Sequence, residues 1–304
     1  MNAPATTPNL SAMLSQVATV ARVSTSSLGL RRLDKTASKE SDRAHNALQG
    51  TAKVTASRFS GAEDRVKEIN DIAAEVRAGL FSMTTAWGDY RLLANVNLQK
   101  WLEFYAPKKQ AYDAKVARLR ADAPALIAQA ERNKGNFNVA TVSEDEIDDA
   151  FSLEFDMQQI PDSKNFAASG VSKEVEAHMR RHFEAGIEAA YKNAQTDAMQ
   201  RVAKPLGHLV EKLAAYDKAA DEKARGITSE GSVRMHASTI GHVQDIAKVF
   251  RSFNLTNDPL LASVADKLDA FEGIEIEDIK TSGDLRKDLT KRADEILNDL
   301  RDLI

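Results

Sequence analysis

The stretch VEAHMRRHFEAGIEAAYKNAQTDAMQRVAKPLGHLVEKLAAY, residues 175–216, decides the fold class. In it Val175, Met179, Phe183, Ile187, Tyr191, Ala194, Ala198, Val202, Leu206, Leu209, Leu213 and Tyr216 advance through 41 residues in 11 steps. The mean spacing of about 3.7 exceeds the 3.5 of a left-handed coiled coil and lies close to the 3.6 of a straight α-helix. The pattern begins at Ser172 and continues to about Arg225, which at ~1.5 Å per residue predicts a helix roughly 75 Å long. Pro205 lacks a backbone donor and predicts a bend or a break within it. A one-sided apolar stripe on such a helix has to be covered by other helices or by another subunit.

Upstream, Leu33, Ala37, Ala44, Leu48 and Ala52 share one side of an expected helix from about Leu30 to Phe59. Ser60 and Glu63 have capping-box spacing, and a second helix carrying Val66, Ile69, Ile72, Ala73, Val76 and Leu80 is expected to end near Ser82. The corner Trp87-Gly88-Asp89 follows: Gly88 permits a tight turn, Asp89 can cap the next helix, and Trp87 suits the core. A third helical region spans about Leu92 to Asn133, with Pro107 and Pro124 expected to kink or break it. After a further capping box at Ser143 and Glu146, Phe151, Leu153, Phe155 and Met157 alternate with polar residues, the signature of a half-buried strand. A lone strand leaves its backbone unsatisfied. The best partner is the alternating stretch from about Val17 to Ser27.

Downstream, Gly226 and Gly231 bracket a loop, and Ile240, Val243, Ile246, Val249 and Phe250 mark another helix. Asp258 reads as an N-cap with Pro259 in the first helical position, and a last helix extends from about Asp284 to the end. The expected fold is therefore α+β and predominantly α: an elongated long-helix bundle or coiled-coil hairpin with a small two- or three-stranded sheet. Its expected segments are a flexible 1–17 marked by Pro4 and Pro8, a helical domain with a small β element over 18–171, and a long-helix region with C-terminal helices over 172–304.

Composition narrows the chemistry. The 304 residues are 43% hydrophobic and 28% charged, enough for a sizeable core and too polar for a bilayer. The absence of cysteine excludes disulfide scaffolds, thiolate metal sites and cysteine nucleophiles. The uncharged first 21 residues lack the basic start and unbroken apolar run of a signal peptide, so a cytoplasmic protein is expected. His178 and His182 stand four apart, but Met179 occupies the position where a zincin carries its general base. No phosphate-binding glycine loop or nucleophile elbow occurs. No catalytic, cofactor-binding or metal-ligating residue is expected, and no cofactor.

The formal charge of −4 makes any nucleic-acid contact local. Between residues 20 and 60 eight basic residues face three acidic ones, and Arg31, Lys35, Lys39 and Arg43 fall at four-residue steps along the expected helix. Such a ridge is either a solvated face, a partner for an acidic segment of the same chain, or a track for phosphates. The opposite sign gathers at Glu144, Asp145, Glu146, Asp148 and Asp149, which either stabilise a helix start or form a docking surface for a basic partner or a divalent cation.

The strings R-R-L-D-K-T-A-S-K-E at 31–40, S-R-F-S at 57–60, T-T-A-W-G-D-Y-R-L-L at 84–93 and F-S-L-E-F-D-M-Q-Q-I-P-D at 151–162 resemble an uncharacterised family of bacteriophages and proteobacteria. Its members are typically encoded beside a MoxR-type AAA+ ATPase resembling CobS and a von Willebrand factor A protein resembling CobT. The likeness covers roughly residues 18 to 215 and departs from the usual pattern at Ala86 and Tyr90. The resemblance implies those two proteins as partners and a non-enzymatic accessory or adaptor role, in the bacterial host's cytoplasm if the chain is phage-encoded. A helical nucleic-acid-binding protein using the basic ridge, or a self-associating structural phage protein, are the alternatives.

Overall fold

The computed structural model describes residues 9–163, 170–225 and 234–301. In chain order the elements are α1 (Leu10–Val17), β1 (Ala18–Ser26), β2 (Arg31–Leu33), α2 (Lys35–Ala44), β3 (Thr55–Ser57), α3 (Glu63–Met83), β4 (Thr84–Trp87), β5 (Tyr90–Ala94), α4 (Asn95–Asn133), α5 (Glu144–Ala150) and β6 (Ser152–Gln159). There follow α6 (Lys173–Ala224), α7 (Ala237–Phe250), a 3-10 turn (Arg251–Phe253), α8 (Pro259–Asp269), α9 (Ile276–Thr281) and α10 (Gly283–Arg301). The fold is α+β and mostly α. No helix among the described residues is long and apolar enough to cross a membrane. Pro4, Pro8, Gly226 and Gly231 lie outside the described residues.

The long helix forms over the predicted span, uninterrupted at Pro205; α4 likewise continues through Pro107 and Pro124. Of the bend or break expected at these prolines, the break does not occur. The expected strand pairing does, since β1 neighbours β6, but in a four-stranded sheet of order β4-β5-β1-β6 beside a separate two-stranded β2-β3 ribbon, more strands than the two or three expected. The additional strands of the four-stranded sheet are β4 and β5, an antiparallel hairpin pairing Thr84 with Leu93 and Trp87 with Tyr90. Gly88 turns the corner at φ 54°. Leu92 and Leu93 are thus strand residues, and Asp89 caps no helix because α4 begins only at Asn95.

The expected helix from Leu30 to Phe59 is also replaced. Asp34 stops β2 and starts α2 by accepting from the Thr36 and Ala37 N–H groups. Asp42 then accepts from the Gly50 and Ala52 N–H groups, folding the chain back so that β3 pairs with β2. Local polar side chains that offer the backbone such bonds compete directly with helix continuation. Glu63 opens α3, but its carboxylate accepts from the Gly61 N–H and the Ser57 hydroxyl in place of a reciprocal box with Ser60. Residues 10–17, expected to be loose, form α1, capped by Asn9.

The chain divides into two compact units interleaved in sequence, one of Met1–Ala21, Phe81–Gln99 and Met157–Ile304, the other of Arg22–Leu80 and Lys100–Asp156. This differs from a contiguous division at 171/172, because each boundary falls inside β1, α3, α4 or β6. In the first unit the apolar line of α6 is covered by α1, β4, α7 and α10 instead of a single antiparallel partner. Val202, Leu206, Leu209 and Leu213 pack there with Val243, Phe250, Val264, Leu268, Leu289 and Ile296. A second cluster joins Leu14, Ala18, Leu92, Ile160, Ile187 and Tyr191. In the other unit Trp101 is fully buried, with ring centroids of Tyr105 at 5.6 Å and Phe155 of β6 at 5.4 Å. Burial without a polar partner pushes the Tyr112 hydroxyl up to about 12.

Candidate interaction surfaces

The β2-α2-β3 segment is held by polar bonds, because α2 (KTASKESDRA) contains no apolar residue larger than alanine. Besides Thr36 and Ala37, the buried Asp34 carboxylate accepts from the Asn138 N–H at 2.5 Å. These bonds, first that from Ala37, hold the Asp34 carboxyl below its ordinary range. The Ser38 hydroxyl donates to the Asp34 carbonyl and accepts from the Val54 N–H. Two of the three acidic residues between 20 and 60, Asp34 and Asp42, are therefore turned inward.

The cations face the other way. Lys35, Lys39 and Arg43 are exposed on α2, and none of their side chains has a hydrogen-bond or ion-pair partner among the described residues. Arg31 does not belong to that helical ridge, since it stands on β2, where its guanidinium donates to the hydroxyl and carbonyl oxygens of Thr55. The ridge read as four residues on one helix is three residues on a helix and one on the adjoining strand.

The acidic cluster occupies the short α5. Its capping box forms as the spacing predicts, with the Glu146 N–H donating to the Ser143 hydroxyl and the Ser143 N–H to the Glu146 carboxylate. The structure adds Arg58, whose guanidinium donates to both Glu146 oxygens at 2.8 Å and to the Ala140 carbonyl at 3.0 Å. That contact, above all, holds the Glu146 carboxyl below the usual range. Asp148 pairs with Arg120 at 3.1 Å, while Glu144, Asp145 and Asp149 are exposed. The basic and acidic segments of this unit thus meet through Arg58, outside the ridge.

Trp87 is half-buried at the end of β4, and Gly88 and Asp89 are exposed in the hairpin turn. Just beyond them lies a site that sequence reading missed. The Asp197 carboxylate of α6 accepts from the Ala86 N–H at 2.8 Å and from Arg91 at 3.1 Å, and lies 3.3 Å from the Arg201 guanidinium. Both guanidinium carbons approach the Phe81 ring, at 4.6 Å for Arg91 and 3.8 Å for Arg201. Burial lowers the pKa of both arginines against the opposing pull of Asp197. Chemically this is a clamp holding the β4-β5 hairpin on α6. A smaller network joins Asn9, Ser11, Ser163 and Glu184, with the Ser163 hydroxyl donating to Glu184 at 2.7 Å. Contacts spanning more than a hundred residues leave no periodic trace in a sequence.

The apolar line of α6 is not buried throughout. It is covered from Ile187 to Leu213, yet Val175 is 46% and Met179 41% exposed, and Val171 just ahead of the helix is 42% exposed. His178 and His182 are exposed beside them, and no cluster able to hold a metal ion occurs among the described residues. A groove of about 600 Å³ between α6 and α10 is lined by residues including Asp217, Lys287, Lys291 and Asp294. No family model matches the chain, no curated protein is significantly similar to it, and no solved structure matches it.

Proposed function

We propose that this chain is a non-enzymatic accessory or adaptor protein that acts through protein–protein contact, in the cytoplasm of a bacterium or of a phage-infected host. The observation that carries the reading is the apolar line of α6 emerging from the core as Val175 and Met179. The same residue spacing that seals a helix against its neighbours continues onto open surface, which is how an amphipathic helix presents anchors to a partner. The MoxR-type ATPase and the von Willebrand factor A protein are the partners implied by the resemblance of residues 31–40, 57–60, 84–93 and 151–162.

The test is copurification of a co-expressed MoxR-type ATPase and von Willebrand factor A protein with the tagged full chain, with and without ATP. Retention of either, lost in Val175→Asp and Met179→Asp variants that keep the wild-type circular dichroism, supports the proposal. Failure of both proteins to copurify in either nucleotide state rejects these partners. Light scattering that shows a dimer dissociated by Val175→Asp assigns the exposed line to self-association instead.

A further inference from the structure

We infer that α2, with Arg31 and Lys53 beside it, forms a surface for the phosphate backbone of duplex nucleic acid. The inference is independent of the adaptor reading, because α2 and the exposed end of α6 belong to different compact units.

Four observations carry it. First, Lys35, Lys39 and Arg43 lie along one side of α2 at four-residue intervals, about 6 Å apart along the axis, exposed and without partners among the described residues. Second, the acids that could neutralise them are engaged elsewhere: Asp34 and Asp42 together accept from five backbone N–H groups, leaving Glu40 as the exposed carboxylate between 31 and 58. Third, Lys35 occupies the first position of α2 beside the capping Asp34, whose carboxylate is turned to the Thr36 and Ala37 N–H groups and leaves the Lys35 ammonium unpaired. Fourth, α2 gains little from apolar packing and is fixed by hydrogen bonds from Asp34, Ser38 and Asp42, which orient its outer face.

The chemistry favours a duplex over other polyanions. Residues 20–58 contain no Phe, Tyr or Trp, and the single imidazole of His45 makes a poor platform for stacking successive unpaired bases. An acidic protein is the weaker fit, since protein interfaces exclude lysine from their centres and rely on apolar anchors, which α2 lacks. Exposed Leu33 and Leu48 nearby make that alternative worth an arm of the experiment. Lysine and arginine contacts to phosphate set affinity and register without reading bases, so binding independent of sequence is expected.

The experiment is fluorescence anisotropy of the full chain with a labelled duplex of mixed sequence, from about 50 to about 200 mM salt. The three α2 cations contribute a slope of about −2.7 to log K against log salt, at about −0.9 per phosphate contact. The Lys35→Gln/Lys39→Gln/Arg43→Gln variant is expected to lose most of the binding and to flatten the slope by roughly that amount. A Lys287→Gln/Lys291→Gln/Arg301→Gln variant, equal in net charge, is expected to bind as the wild type does. Circular dichroism of both variants verifies that they fold. The proposal is overturned by absence of duplex binding at the lowest salt, by identical slopes for the wild type and the α2 variant, by tighter binding of the matching single strand, or by polyglutamate displacing the duplex at equal charge concentration.

Discussion

Leu209→Ala and Val175→Ala remove apolar carbons from the same apolar line of the same helix, yet the structure assigns them very different costs. Leu209 is fully buried among α7, α8 and α10 residues, whereas Val175 is 46% exposed. Truncating leucine deletes three carbons at about 0.8 kcal/mol each, or ~2.4 kcal/mol, and the cavity left behind raises the total to about 3–4 kcal/mol. Truncating the half-exposed valine forfeits less than about 1 kcal/mol, and the higher helix propensity of alanine offsets roughly half of that. With a urea dependence near ~3 kcal/mol per molar, the first variant loses about 1 M in midpoint and the second no more than ~0.2 M. The assay is urea unfolding followed by far-ultraviolet circular dichroism. Equal shifts for the two variants, or no shift for Leu209→Ala, would refute the placement of the core boundary between Met179 and Ile187.

At the hairpin clamp, Asp197→Ala leaves two cations and the Ala86 N–H without their acceptor; because the carboxylate is about a quarter exposed, the expected loss is roughly 2 kcal/mol, read as a lower midpoint in the same titration. Gly79→Ala should stabilise by about 1 kcal/mol on helix propensity alone, but a β-carbon there collides with the Phe104 ring, which packs on Trp101, so a net loss of about 1 kcal/mol is expected from thermal unfolding. For Glu146, whose folded pKa is depressed first by Arg58, the contribution is present above its unfolded pKa and disappears as pH falls through the folded value. Stability measured from neutral pH to below about 4 should therefore drop less steeply in Glu146→Gln than in the wild type; parallel curves would remove the pair from the acid response. Asp258→Ala removes the acceptor for the Leu260 and Leu261 N–H groups at the start of α8 and should cost about 1 kcal/mol, with faster hydrogen exchange confined to that helix turn.

The long elements were legible because their signals are local and repeated. Twelve apolar positions define α6, and Asp258 with Pro259 marks α8 as directly as a sequence can. The strands β4 and β5 escaped because four or five residues are too short for a period, and Leu92-Leu93-Ala94 reads equally well as a helix start. The helix drawn from Leu30 to Phe59 failed for a different reason. Its apolar spacing is helical, but Asp34 and Asp42 offer the backbone hydrogen bonds that α2 alone does not provide, and one of their donors, Asn138, comes from about a hundred residues away. The surfaces show the same split: clustering of Arg31, Lys35, Lys39 and Arg43 and of Glu144–Asp149 was readable, whereas the inward turn of Asp34 and Asp42 and the bridge from Arg58 to Glu146 were not.

Sequence alone determined that this is a mostly helical chain built on one very long helix, since the apolar period that selects a helix is a matter of residue type and spacing. It also set where charge of each sign accumulates. Tertiary structure decided which length of the stripe is buried, how β1 comes to lie between β5 and β6, and which charges are cancelled. Those outcomes depend on segments far apart in the chain meeting in space, and the free energy of a contact belongs to the pair that makes it, not to either residue.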